Sequence, residues 1–357
     1  MPKTLILPVS GRSSRYPGMK PKWLLVHPRG TLMLTESIRG LEPKKFDKIL
    51  IIALKTHEED FQVCKTIETE LIEEYGLKKN AIKFVLLEQG TRSQPETVYE
   101  GIRQAGITGQ IFIRDADNYF SIKDMPEGNF IAVSDLTKCE PLVLDDKSYA
   151  QISSQGGKKT LSDIIEKKII SNTFSSGGYA FRNANEFCEN FEKLKGASPL
   201  YISSIISKMM GSGSAFDIVE TSNFEDWGTH SDWVRFKKKY ATLFVELDGV
   251  LVLDSGKYFE PKWGSTEALR RNVATINSLY DSGKKEIIII SSRKESCRGI
   301  TEEQLRKNNI KYHKLLLGLS TGCKRVLVSG FSESTPFPAA LAINIKTDDD
   351  RLDELLD

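Results

Sequence analysis

The sequence predicts an α/β protein of two domains: a larger N-terminal domain, residues 1–239, on a mixed, mainly parallel sheet, and a smaller α/β domain, residues 240–357. Three observations lead there. Short apolar runs rich in β-branched residues recur at 5–9, 49–54, 82–87 and 111–113, each the length of a strand. Stretches with helical spacing, 58–75 and 96–105, lie between them, and strands alternating with helices build parallel sheets under covering helices. At 357 residues the chain also exceeds what one hydrophobic core usually supports.

A basic run, Lys237, Lys238 and Lys239, sets the boundary between the domains, and a new apolar strand at 243–245 follows it. The second series comprises a helix around 266–280, a strand at 286–290, a helix at 302–307, and strands near Leu315 and at 326–328.

Composition narrows the function classes. Hydrophobic residues make up 39% and charged residues 27%, the balance of an ordinary globular protein. Lysine and arginine number 50 against 48 acidic residues, a net charge of +2 that argues against nucleic acid as a partner. The cysteines (Cys64, Cys139, Cys188, Cys297, Cys323) contain no Cys-x-x-Cys pair, so neither a zinc site nor a disulfide framework is expected, and a reducing, cytoplasmic compartment is. No apolar run approaches the roughly 18 residues of a membrane span, and the opening strand is too short for a signal peptide, so no membrane partner is expected. Homo-oligomerisation stays open. His27, His57, His230 and His313 share no ligand spacing.

The strand at 5–9 runs directly into Ser10, Gly11, Arg12, Ser13, Ser14, Arg15 and Tyr16, followed by Lys20, Pro21 and Lys22. Gly11 and the serines let backbone N–H groups approach anionic oxygens, Arg15 offers a planar fork of donors and Lys22 a compact charge. Pro21 keeps the segment before Lys22 extended, aiming the ammonium. A solvated basic loop explains the same letters. The place of the loop, straight after an apolar strand, favours a polyphosphate grip, because parallel sheets bind ligands beyond the carboxyl ends of their strands.

Two more clusters fit that grip. Asp115 and Asp117 end the strand at 110–113, and carboxylates there suit Mg²⁺ beside phosphate oxygens, although an Asp/Asn turn accounts for them without metal. Gln89, Gly90 and Thr91 follow the strand at 82–87, where backbone and amide groups can read the edge of a nucleobase. The same segment starts a helix, with Ser93 as N-cap, Pro95 in the first turn and Glu96 as capping-box partner.

Small residues, then Gly-x-x-x-Arg and Pro-Lys-x-Leu, resemble the signature of the nucleotidyltransferases that make nucleoside-diphosphate sugars and related activated alcohols; Ser13 stands where the usual Gly-x-Gly-x-Arg has its second glycine. Asp226, Gly228 and Thr229 resemble that family's Asp-x-Gly-Thr segment, and Glu166, Lys167, Asn172, Gly177 and Gly178 its acceptor-holding segments. The resemblance covers about residues 3–236. It implies a Rossmann-like, GT-A-like fold of the glucose-1-phosphate thymidylyltransferase kind, with direct in-line attack of an acceptor phosphate on a nucleoside triphosphate. Catalytic roles fall to Arg15, Lys22, Asp117 and Asp226, with Mg²⁺ on Asp117 and Asp226. Nucleotide contacts fall to Ser10, Gly11, Arg12, Ser13, Gln89, Gly90 and Thr91, and acceptor contacts to Asp115, Glu166, Lys167, Asn172, Gly177, Gly178 and Thr229. The partners implied are a nucleoside triphosphate and a sugar or polyol phosphate, for surface-polysaccharide or capsule precursors. A GT-A glycosyltransferase and a non-catalytic nucleotide sensor are the competing readings.

In the second domain, Glu246, Asp248, Gly249 and Leu251 resemble the first motif of the haloacid-dehalogenase (HAD) phosphatases, Asp-x-Asp-Gly-x-Leu, and Ser291 the second. The nucleophilic aspartate is Glu246 here, and no aspartate pair follows the strand at 326–328. The resemblance therefore implies a HAD-like domain without phosphatase activity, kept for dimerisation or for holding a ligand; a bifunctional nucleotidyltransferase and phosphatase is the alternative. Asp348, Asp349 and Asp350 read as a charged tail.

Overall fold

Four parallel strands, β1 (Lys3–Pro8), β2 (Lys48–Leu54), β3 (Ile82–Leu87) and β4 (Gln110–Arg114), form one side of the main sheet, with β1 between β2 and β4. They belong to a computed structural model that describes residues 3–11, 13, 15–140, 143–256, 258, 260–330 and 338–356. The chain divides into two compact units, Met1–Trp233 and Val234–Asp357, a division that falls ahead of the basic run the sequence suggests.

These strands form because both of their faces are covered. Ile49, Leu50, Ile51, Ile52 and Ala53 are all fully buried, the continuous apolar run expected of a doubly covered strand. One face packs on α4 (Gln94–Ala105), α5 (Ala184–Leu194) and α6 (Ile202–Gly211); the other packs on α1 (Met33–Ile38) and α3 (Val63–Tyr75), with α2 (Lys55–Phe61) between β2 and α3. At the start of α4, Ser93 Oγ accepts from Glu96 N at 3.4 Å as expected, while the Glu96 carboxylate reaches Arg92 N at 2.6 Å, one residue before the usual capping-box donor.

The rest of the sheet departs from the expectation of a mainly parallel one. After β5 (Asn118–Ser121) come β6 (Phe130–Asp135), β7 (Ser148–Gln155), β8 (Lys158–Glu166), β9 (Thr173–Phe181), β10 (Asp217–Glu220) and β11 (Ser222–Asp226). The nine-stranded order is β3-β2-β1-β4-β9-β6-β10-β8-β7, in which β9 lies antiparallel to both β4 and β6, and β8 to both β10 and β7. Connection length explains part of this: β7 and β8 are joined only by Gly156 and Gly157 and pair antiparallel, whereas β10 reaches β6 across α5 and α6 and lies parallel to it. β5 and β11 form a separate two-stranded antiparallel ribbon. α7 (His230–Lys237) follows.

In the second unit β12 (Ala241–Glu246), β13 (Lys285–Ile290) and β14 (Lys314–Leu316) are parallel in that order, with α8 (Arg270–Asp281) and α9 (Arg298–Lys307). The strand expected at 326–328 is not formed: Val326, Leu327 and Val328 are exposed. Only nine residues, 317–325, separate it from β14, fewer than a parallel crossover needs. Nor are the three late aspartates a free tail. Asp350 accepts from Arg271 N and Asn272 N in the first turn of α8, an anionic cap at the positive end of the helix, and Asp348 Oδ1 accepts from Asp254 N at 2.7 Å. No helix among the described residues is long and apolar enough to cross a membrane.

Candidate active site

The loop after β1 is folded back on itself. Ser13 adopts φ 48°, in the left-handed region that favours glycine; its carbonyl accepts from Tyr16 N at 2.8 Å and its hydroxyl from Lys22 N at 3.1 Å. The side chain that replaces the family's second glycine is thus turned toward the Lys22 backbone. Arg12 and Ser14 lie outside the described residues. Gly11 is exposed, with nothing within 4 Å of the place a Cβ would take. Pro21 is extended (ψ 129°) as expected, but Lys22 itself opens a short 3₁₀ turn, Lys22–Leu24. Tyr16 is buried, and its hydroxyl reaches the carbonyls of Trp227 and Thr229, tying this loop to the one after β11.

The turn after β4 is built on Arg114. Its guanidinium is fully buried, lies 4.0 Å over the Phe120 ring, and donates to the carbonyls of Ser37, Asp115 and Asn118 and to Asn118 Oδ1 at 2.7–3.2 Å. Those bonds fix the course of residues 115–118 and so aim the two aspartates. Asp115 accepts from Gln94 Nε2 at 2.5 Å and its backbone N–H donates to Gly177 O at 2.8 Å; burial, then the neighbouring Asp117, pushes its carboxyl above the usual carboxylate range. Burial alone would raise Asp117 as well, but the Lys22 ammonium bonded to it, with Arg15 at 4.0 Å, holds it well below that range. Gly177 has φ 82°, and a Cβ there would stand 2.4 Å from Asp115 Oδ2, so only glycine fits.

Asp226 is delivered by the β5–β11 ribbon, which sets it opposite Asn118, and Trp227 N donates to Asp117 O at 2.9 Å. Asp226 Oδ1 accepts from Gly228 N at 3.0 Å, and Oδ2 is ion-paired with Lys147. A Cβ on Gly228 would lie 3.1 Å from Asp226 Oδ1 and 3.8 Å from both Asp117 Oδ2 and Arg15 Nη1. The two carboxylates, far apart in sequence, therefore face one small space beside Arg15.

That space opens into a cleft whose lining includes Gln94, Ser148, Glu166, Tyr179, Ser203 and Thr229. Glu166 accepts from the hydroxyls of Ser148 and Ser203. Lys167 has φ 57° and pairs with Asp146 at 3.5 Å. Three expected acceptor residues lie outside that lining: Lys167, Asn172, which is exposed, and Gly178, which is buried with Phe120, Phe112 and Ala132 about its Cα. Among the residues expected at the nucleotide, Ser10 Oγ bonds Thr97 Oγ1 at 2.8 Å and Thr97 bonds Thr91 at 2.5 Å, a hydroxyl chain linking the end of β1 to the loop after β3. Gln89 and Gly90 are exposed on that loop.

Sequence reasoning missed Arg114, Gln94, Asp146 and Lys147. A charged run, Asp145, Asp146 and Lys147, just before a strand was the only local signal for the last two; Lys147 finds its partner Asp226 79 positions away, and Asp146 finds Arg15 131 positions away.

A buried histidine beneath the site gives the protein an acid-sensitive element. His27 lies against the rings of Trp227 and Trp233, and its Nδ1 accepts from Arg29 N, so that nitrogen carries no proton. Burial lowers its pKa from 6.5 to about 4. The unfolded chain takes up the proton first as pH falls, so stability present above pH 6.5 is expected to be lost between about 6.5 and 4, by about 3 kcal/mol at the limit. Urea unfolding followed by tryptophan fluorescence at pH 7 and 4.5 checks this; His27→Gln should flatten the difference.

In the second unit the fold brings Asp248 and Ser291, both singled out in the sequence, together with Arg293, which was not. Ser291 Oγ donates to Asp248 Oδ2 at 2.9 Å, and the fully buried Arg293 grips the same carboxylate through Nε and Nη2 at 2.7–3.1 Å. Glu246 is paired with Arg325 at 3.3 Å.

No protein-family description and no curated protein matches the chain. Solved structures do. A nucleoside-diphosphate-sugar pyrophosphorylase from Vibrio cholerae RC9 is 19% identical with a TM-score of 0.54, over 65% of this chain and 98% of that one. A UDP-glucose pyrophosphorylase complexed with UDP-glucose is 13% identical with a TM-score of 0.51, over 65% and 96%. A UTP-bound UGPase from Acinetobacter baumannii is 12% identical with a TM-score of 0.50, over 66% and 92%. The shared portion is about as long as the first unit. Over that share the chain has the fold of nucleotidyltransferases of the pyrophosphorylase kind.

Proposed function

We propose that the protein is a nucleotidyltransferase that joins a nucleoside monophosphate, taken from a nucleoside triphosphate, to a sugar phosphate or polyol phosphate and releases pyrophosphate. The observation that carries the reading is the meeting of Arg15 and Lys22 with Asp117 and Asp226 beyond the carboxyl ends of β1 and β4. The likeness in fold supports it.

An oxygen of the acceptor's phosphate attacks the α-phosphorus; the new P–O bond forms as the bridge to the β-phosphate breaks, and its electron pair leaves with pyrophosphate. The attacking group is already anionic, so no general base is required. Arg15 holds the departing pyrophosphate, Lys22 balances charge growing at the α-phosphorus, and open Gly11 admits the chain of phosphates. Asp115, Glu166 and Thr229, which line the cleft, and Lys167, next to Glu166 in the chain, would take the acceptor's hydroxyls and phosphate. Among the described residues no group of three or more His, Cys, Asp and Glu is placed to hold a metal by itself. Two carboxylates on one space nonetheless suit Mg²⁺, a hard cation that takes oxygen ligands. Asp117 and Asp226 would hold it, and it would supply neutralisation of phosphate charge. We assign the product to surface-polysaccharide precursor synthesis in the cytoplasm, and a non-hydrolytic role to the HAD-like second unit, in which Asp248 is committed to Arg293.

Release of pyrophosphate from the four triphosphates, each paired with sugar and polyol phosphates, tests the reading. Release that needs both substrates is expected, with no Mg²⁺-dependent hydrolysis of a phosphate monoester. A glycosyltransferase or a nucleotide sensor releases no pyrophosphate from any pair, and that result would overturn the proposal.

A further inference from the structure

One carboxylate in the cleft is spent on the cations that the reaction needs. Asp146 Oδ2 lies 3.2 Å from Arg15 Nη1, and its other oxygen lies 3.5 Å from Lys167 Nζ. Two cations from segments far apart in sequence thus converge on the two oxygens of a single group, as they would on two oxygens of a phosphate. The carboxylate is held in that place by its neighbours. It ends the 3₁₀ turn Leu144–Asp146; the next residue, Lys147, is ion-paired with Asp226, and the Lys147 carbonyl accepts from Lys167 N at 2.8 Å. A two-residue segment therefore places a negative group on Arg15 and Lys167 and a positive one on Asp226.

We propose that Asp146 is a built-in competitor for phosphate groups at Arg15 and Lys167, and that it sets how tightly the cleft takes an anionic ligand. The inference rests on the reading of Arg15 as a phosphate-holding residue. A polyphosphate must displace the carboxylate from Arg15, and each bond it makes there replaces one that Asp146 already makes. The pairs are half-exposed, hence individually weak and readily exchanged, which suits a group that gives way on every turnover.

Inorganic pyrophosphate titrated into the full chain by calorimetry, without divalent ions, tests this. Asp146→Asn keeps the shape of the side chain and removes its charge, and is expected to tighten binding by about two- to tenfold. Asp145→Asn changes net charge equally from an exposed neighbouring position and is expected to leave affinity unchanged; an equal gain there would reduce the effect to the general field and overturn the proposal. Arg15→Ala is expected to weaken binding. Equal affinity of wild type and Asp146→Asn, with Arg15→Ala weakened, overturns the competitor role and leaves the nucleotidyltransferase reading standing. Undiminished binding by Arg15→Ala removes the phosphate site from Arg15 and overturns both. Should wild type bind too weakly to measure, heat from Asp146→Asn alone supports the proposal, and none from either counts against it.

Discussion

Lys22→Ala is expected to lower turnover by about 10²- to 10³-fold, the usual loss when one preorganised charge is removed from a reacting phosphate or oxyanion. The geometry gives Lys22 two tasks. Its ammonium bonds Asp117 and keeps that carboxyl ionised against the push of burial, and through that bond it stands beside the carboxylate that shares a space with Asp226 and Arg15. Losing it both uncovers charge at the α-phosphorus and lets Asp117 take up a proton more readily, so kcat should fall and its pH profile should shift upward on the acid side. Lys22→Arg keeps the charge with a wider, planar head and is expected to recover part of the rate. Steady-state pyrophosphate release between pH 5 and 8 measures all of this. A Lys22→Ala enzyme with full turnover would remove the loop after β1 from the chemistry.

Arg114→Met is expected to cost about 3–5 kcal/mol of stability and most of the activity, although Arg114 touches no part of the cleft space that Gly228 borders. The methionine fills the volume over Phe120 but donates to nothing, which leaves the carbonyls of Ser37 and Asn118 without the partners that held them. Arg114 stays charged in the interior, with its pKa lowered by burial only to about 10. Its five N–H donors are the means by which residues 115–118 keep a single course, and without them Asp115 and Asp117 lose their aim. Urea unfolding together with turnover checks the pairing of effects. A loss of stability below about 1 kcal/mol would mean that the turn is held by its other bonds.

How much of this was legible beforehand depended on whether a signal was local. β1 to β4 were readable because a strand covered on both faces writes itself as an unbroken apolar run, as in Ile49 to Ala53. β6 to β11 were not. Buried hydroxyls such as Ser134, Ser175 and Ser176 interrupt their apolar pattern, and pairs such as β6 with β9 join strands that are not neighbours along the chain. The catalytic candidates Arg15, Lys22 and Asp117 announced themselves by residue type beside a strand end. Asp146, Lys147 and Arg114 did not, since a lone charge acquires meaning only from a partner that the fold brings from far along the chain. The strand expected at 326–328 failed for a different reason: apolar letters were present, but too little chain precedes them to return to the sheet.

The ribbon of β5 and β11 has a consequence for how this cleft can change over time. The separation of Asp117 from Asp226 is dictated by one backbone ladder, Tyr119 against Glu225 and Asn118 against Asp226, beginning after an irregularity at Asn223, where φ is 56°. Alternate residues of a strand face opposite sides, so a slip of one position would turn Asp226 away from Asp117 and bring Glu225 toward it, one methylene longer. Insertions in the segments leading to these strands can accumulate without touching the chemistry, whereas a single-residue deletion inside β11 would abolish it outright.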